Sequence, residues 1–263
     1  MRNVTTPTGE RESAVESAGP IVELSGIARK FGDRWALRGV DLSVGPGEGV
    51  ALLGRNGGGK TTLLRIIATL LRPSRGGGRI FGYDLVREAA SIRGEIGLLG
   101  HTPGLYGDLT AAENLRFALR MSGQPVSMDR IREALAKVSL EGFADERTRG
   151  FSAGMQRRVA LARLLLLRPR LVLLDEPYAA FDAAGIELIN SYLREHLAQG
   201  GAAVVATHDL ARARGVLGRV VELKGGRASI RDDSVGADPG GEGGAEPLTR
   251  TGAAPSPARE RVG

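Results

Sequence analysis

One nine-residue stretch constrains this chain more than any other: Gly54-Arg55-Asn56-Gly57-Gly58-Gly59-Lys60-Thr61-Thr62. It fits the phosphate-cradling template G-x-x-x-x-G-K-[ST], with Val50-Ala51-Leu52-Leu53 before it and Leu63-Leu64-Arg65-Ile66-Ile67 after it. Strand, glycine loop and helix in that order are the context the template requires. Successive backbone N–H groups wrap a phosphate only where the chain takes conformations a Cβ forbids, and the following helix turns its positive end to the same anion. Lys60 then reaches the β- and γ-phosphates, Thr61 offers its hydroxyl to Mg²⁺, and Thr62 caps or packs the helix start. A glycine-rich turn ending by chance in Lys-Thr is the competing reading, and the rest of the chain must decide between them.

Residues 1–20 are polar and lack apolar periodicity, so they read as a disordered leader, and 231–263, rich in Gly, Pro, Asp and Ser, read as a disordered tail. Between them, 21–230 read as the folded unit. Ile21–Leu24 and Leu37–Val44 look like antiparallel strands joined through Arg29–Trp35, with Pro46-Gly47 turning the chain toward the phosphate loop. Gly76-Gly77-Gly78 reads as a turn ahead of a short strand, Arg79–Gly82. Glu95–Gly104 reads as an apolar strand running into a loop. Apolar residues then recur at helical spacing (Leu115, Ala118, Leu119; Ile131, Leu135, Val138), and about 101–165 form a helical insert. Ser152 opens a helix that must end by Arg168, because Pro169 follows.

Leu171-Val172-Leu173-Leu174-Asp175-Glu176 is the pattern of a buried parallel strand whose carboxyl end opens onto a site, and Ala202–His208 repeats it with a polar terminus. Gly185–Gln199 suits the crossover helix between them. Three parallel strands therefore deliver the phosphate loop, Asp175-Glu176 and His208 to one crevice. The expected fold is α/β, a P-loop NTPase with a parallel core sheet, an antiparallel β subdomain and an inserted helical subdomain.

At that crevice Asp175 fits the acid that holds Mg²⁺ opposite Thr61, and Glu176 fits the base that orients and deprotonates a water. A surface loop that happens to start Asp-Glu-Pro is the plainer alternative. His208 fits a γ-phosphate or water contact, or else is structural. Phe151-Ser152-Ala153-Gly154 places a hydroxyl and a glycine at a helix start. That is either an ordinary N-cap or an anion-binding end offered to another molecule's nucleotide, as in a head-to-tail pair.

Composition removes several competitors. There is no cysteine, so disulfide, thiolate and thiol chemistry are out. The net charge of +6 is scattered, and only 4% of residues are aromatic, too few for a base-stacking surface, so no nucleic-acid partner is expected. Runs such as Leu164–Leu167 fall far short of the roughly 20 residues that span a bilayer. A cytosolic protein is expected, with any membrane role coming through a partner.

The order of phosphate loop, helical insert, Ser-x-Gly helix, Leu-Leu-Asp-Glu-Pro and Thr-His-Asp resembles the ATP-binding subunits of ABC transporters over about residues 21–230. The resemblance implies ATP and Mg²⁺ as ligands, a homodimer or paired ATPase subunit, and an integral-membrane permease as partner at the cytoplasmic face of the membrane. It implies that Phe31 stacks on adenine, with Trp35 the alternative ring. Gly54 through Thr62 then hold phosphate, Asp175 and Thr61 hold the metal, and Glu176 is the base. Asp182 lies in the loop that meets the partner copy, Ser152 and Gly154 belong to the signature helix, and His208 is the switch histidine. Three positions depart from the family's pattern. His101 stands where a Gln usually senses the metal and the permease, so its charge state would matter to coupling. Phe-Ser-Ala-Gly-Met replaces Leu-Ser-Gly-Gly-Gln, and Tyr178-Ala179-Ala180-Phe181 replaces Thr-Ser-Gly-Leu. Gly100–Gly104, Leu109–Leu115, Ser-Ala-Gly at 152–154 and Tyr178 after Glu-Pro are together similar to the haem-exporter subunits of cytochrome c maturation.

Overall fold

The computed structural model describes residues 19–179, 181–213 and 215–231. The expected leader and tail fall almost entirely outside the described residues. Two sheets and a helical layer make up the fold. The first sheet is antiparallel in the order β2-β1-β4-β5, from β1 (Val22–Phe31), β2 (Arg34–Val44), β4 (Arg75–Ile80) and β5 (Tyr83–Asp84). The second has six strands in the order β10-β9-β3-β8-β7-β6. Its members are β3 (Gly49–Leu53), β6 (Ile96–Leu99), β7 (Leu171–Asp175), β8 (Ala202–Ala206), β9 (Arg219–Lys224) and β10 (Arg227–Arg231). All pair in parallel except β10 on β9.

Alternation along the parallel strands explains why their sequences are apolar throughout. Leu171 and Leu173 face the core shared with the antiparallel sheet and α1 (Lys60–Ile67), while Val172 and Leu174 face the core under α5 (Ala153–Leu167) and α6 (Ala183–Ala198). Ala202, Val204 and Ala206 divide from Ala203 and Val205 in the same way. A sheet covered on both faces has no solvent side to mark with polar residues.

The helical insert consists of α3 (Ala111–Met121), α4 (Met128–Lys137) and the start of α5, following the short α2 (Ala89–Arg93). Of the residues read from their spacing, Leu115, Leu119, Ile131, Leu135 and Val138 are fully buried, and Ala118 is half-buried. Thr110 and Glu113 form a capping box that fixes the start of α3. Ser152 caps α5, accepting from the Met155 N–H at 3.2 Å, and Arg168 ends the helix in the left-handed region at φ 50°, one residue before Pro169.

Two connections expected from the sequence are strand instead. Arg29–Trp35 is not a linker: β1 and β2 run through it and reverse at Gly32-Asp33, pairing Lys30 with Trp35 and Phe31 with Arg34. Gly76-Gly77-Gly78 is not a turn but the middle of β4, paired to β1. Gly76 and Gly78 allow close approach, since a Cβ on either would stand 2.2 Å from a carbonyl oxygen of β1, that of Gly26 or of Glu23, whereas a Cβ on Gly77 would meet nothing. Gly78→Ala therefore forces β1 and β4 apart and lowers stability by about 1–3 kcal/mol, the usual cost of overpacking. Urea unfolding measures this, and an unchanged midpoint would mean that the two strands separate without cost.

Candidate nucleotide site

β3, β8 and β7 lie side by side, so their carboxyl ends open on one edge of the sheet. The phosphate loop leaves β3 there and closes on itself through a Gly58 N–H to Arg55 carbonyl bond of 2.9 Å. Gly59, at φ 103°, is the N-cap of α1, and a Cβ on it would meet the Ala36 carbonyl oxygen at 2.8 Å. No other residue type fits that junction without moving β2.

Lys60, 6% exposed, donates to the Gly54 carbonyl at 2.7 Å and lies 3.4 Å from Glu176 Oε1. That contact is an ion pair without hydrogen-bond alignment, because Glu176 Oε1 is buried and has no hydrogen-bond partner. Glu176 Oε2 sits 2.8 Å from His208 Nδ1. Thr61 donates its hydroxyl to Asp175 Oδ2 at 2.8 Å.

Asp175 is only 5% exposed and has no ion-pair partner among the described residues. Buried carboxylates are almost always paired or bound to a metal, so this one fits a hard cation shared with Thr61. The backbone of Glu176 is held in the left-handed region at φ 50°. A non-glycine residue there costs on the order of 1 kcal/mol or more, and such residues persist only where their surroundings fix them. Here the Glu176 N–H donates to the Ala206 carbonyl at 2.8 Å, and buried Arg157 of α5 donates to the Glu176 carbonyl at 2.9 Å.

Two cavities run along the loop. One, about 170 Å³, is lined by Gly57 to Thr62 with Asp175 and Glu176. The other, about 900 Å³, is lined by Phe31, Trp35, Arg55 and Thr62 on one side and Glu222 to Gly226 on the other. They share Ala36, Arg55, Asn56, Gly57, Gly58 and Thr62, as the phosphate and nucleoside ends of one ligand would require. Phe31 is 48% exposed and so is not a core residue; Arg29 lies over its ring at 4.7 Å, and Arg75 over Trp35 at 5.6 Å. The far wall, the β9–β10 hairpin, went unread in the sequence. Its signal is the Val221–Lys224 alternation running into Gly225-Gly226.

Four expected site residues lie elsewhere. Ser152 is exposed and Gly154 half-buried at the N-terminus of α5, and Asp182 caps α6, accepting from the Gly185 N–H at 2.9 Å. Arg158 joins these two helix starts, 3.4 Å from Asp182. None of the three lines either cavity. His101 is exposed on the loop after β6 and also lines neither. Arg163 of α5 grips that loop, donating to the Pro103 and Gly104 carbonyls at 3.0 Å each. Within the dimer-facing segment, Tyr178 and Phe181 are buried, and Ala180 lies outside the described residues.

Comparison with known proteins agrees with this geometry. The ABC transporter family matches residues 37–179. Among curated relatives, the chain is 44% identical over 184 residues to the cytochrome c biogenesis ATP-binding export protein CcmA of Methylococcus capsulatus, covering 70% of this chain and 89% of that protein. It is 39% identical over 207 residues to CcmA 2 of Cupriavidus metallidurans, covering 76% and 95%. Among solved structures, the dimeric post-hydrolysis state of the ATP-binding cassette MJ0796 bound to ADP and Pi superposes with a TM-score of 0.75 at 31% identity, covering 82% of this chain and all of that one. A parallel sheet that delivers a phosphate loop, a buried acid and a clamped glutamate to one edge thus belongs to a known lineage: the chain is a member of the ABC transporter family, and within it a CcmA-like ATP-binding subunit.

Proposed function

We propose that this chain is the ATP-hydrolysing subunit of a haem exporter serving cytochrome c biogenesis, paired with a second copy and seated on a separate integral-membrane permease at the cytoplasmic face. The observation that carries the hydrolytic part is the convergence of Lys60, Thr61, Asp175, Glu176 and His208 at one sheet edge. The likeness to CcmA proteins of cytochrome c biogenesis carries the choice of cargo pathway. No helix among the described residues is long and apolar enough to cross a membrane.

In the proposed cycle Phe31 stacks on adenine and the loop from Gly54 to Thr62 holds the phosphates. Thr61 and Asp175 would hold Mg²⁺, which would supply positive charge against the phosphates. Lys60, now divided between the Gly54 carbonyl and Glu176, turns its ammonium toward the incoming triphosphate. Glu176 is thereby released to accept a proton from water, with His208 holding the carboxylate's other oxygen. Ser152 and Gly154 of the second copy close the site from the far side, which the exposure of Ser152 at the helix start allows, and Asp182 lies at that junction.

The test is purification from detergent-solubilised membranes followed by reconstitution. A polytopic protein should accompany the chain, and the pair in vesicles should move haem only with ATP and Mg²⁺. A permease that moves another cargo would remove the haem assignment and leave the ATPase intact.

A further inference from the structure

Glu176 and His208 sit on different loops, 32 residues apart, yet meet at 2.8 Å. Both loops continue into one closed ring of hydrogen bonds. The Tyr178 hydroxyl donates to Asn190 Oδ1 at 2.9 Å, Asn190 Nδ2 donates to the Arg212 carbonyl at 2.8 Å, and Arg212 Nη1 donates back to the Tyr178 carbonyl at 3.0 Å. Arg212 also pairs through Nε with Asp209, the neighbour of His208, at 2.8 Å. Tyr178 is 3% exposed and Asn190 7%, and burial pushes the Tyr178 phenol up to about 12, so it stays a donor. The ring thus touches the residue two positions after Glu176, the residue next to His208, and α6.

We infer that Tyr178, Asn190 and Arg212 are positioning residues that set the contact between Glu176 and His208. This rests on the hydrolytic reading above. Three features argue for more than packing. Tyr178 and Asn190 are buried polar groups, which are stable only when hydrogen-bonded, and the ring gives each of them a partner. The residue it steadies on one side follows a glutamate whose backbone is in a strained conformation. The ring also closes only when both loops are in register, so a shift of either loop breaks two of the three bonds together.

Tyr178→Phe removes one oxygen and leaves the aromatic ring buried. Misplacing a reacting group by about 1 Å costs up to about 100-fold, so kcat for ATP should fall about 10- to 100-fold while ATP affinity stays within about twofold. Tyr178→Phe combined with Asn190→Leu should cost little more than either change alone, because each already opens the ring. Arg212→Met, a change at a part-exposed position, should have the same effect on kcat and serves if the buried variants fail to fold.

A second readout does not depend on turnover. The chain has three histidines, His101, His196 and His208, whose ring resonances can be told apart by nitrogen-15 NMR. The His208 signal should move in all three variants and the His101 signal should not. Loss of melting temperature with an unmoved His208 signal and kcat within twofold of wild type would reduce the ring to structural packing and overturn the inference. If wild-type protein hydrolyses no ATP, the hydrolytic reading fails, and the NMR shifts still decide whether the ring governs the contact.

Discussion

Glu176→Gln lowers ATP turnover by about 10²- to 10⁴-fold, the span that general-base catalysis usually contributes, while ATP still binds. The substitution keeps the side chain's shape and one carbonyl oxygen but removes the site that takes water's proton. It also removes the charge that draws Lys60 to 3.4 Å from Glu176 Oε1, so the ammonium is freer for the triphosphate. Binding without hydrolysis should accumulate the closed pair, and gel filtration with ATP and Mg²⁺ should show a dimer for the variant where the wild type is mostly monomer. A monomeric variant with undiminished phosphate release would refute both the base assignment and the two-copy site.

The parts of this site that could be read from the sequence are the parts that are local. The phosphate loop and the apolar runs ending at Asp175-Glu176 and at His208 each announce themselves within ten residues, and each lies at the sheet edge expected. Gly76-Gly77-Gly78 misled because glycine suits a turn and a close strand contact equally, and only the position of Glu23 across the pair distinguishes them. Arg29–Trp35 misled because a two-residue reversal leaves almost no loop to detect. The β9–β10 wall is a local hairpin turned at Gly225-Gly226, and only its place opposite the phosphate loop depends on distant residues, but the Tyr178–Asn190–Arg212 ring is assembled from separate segments of the chain, so no spacing rule exposes it. Arg157 is similar: an arginine in a helix reads as solvated, yet its guanidinium is buried on the Glu176 carbonyl.

Lys60→Met separates substrate binding from assembly. The lysine is 6% exposed and its ammonium is committed to the Gly54 carbonyl and to Glu176. Hydrogen bonds to charged groups contribute about 1.5–3 kcal/mol, so losing the phosphate contact should weaken ATP binding by about 10- to 100-fold. Turnover should drop further still, because the charge that builds on the phosphates in the transition state loses its nearest cation. The vacancy has a second effect in the absence of nucleotide. Glu176 is left part-buried with His208 as the one side chain still in contact with its carboxylate among the described residues. Mixing Lys60→Met protein with Ser152→Ala protein then discriminates between a site closed by one chain and a site shared by two. In a shared arrangement the mixed dimer has one composite site carrying both defects and one carrying neither, so a population of mixed dimers recovers part of the wild-type rate. Sites complete within one chain would give no recovery, since each would keep its own defect whatever its neighbour.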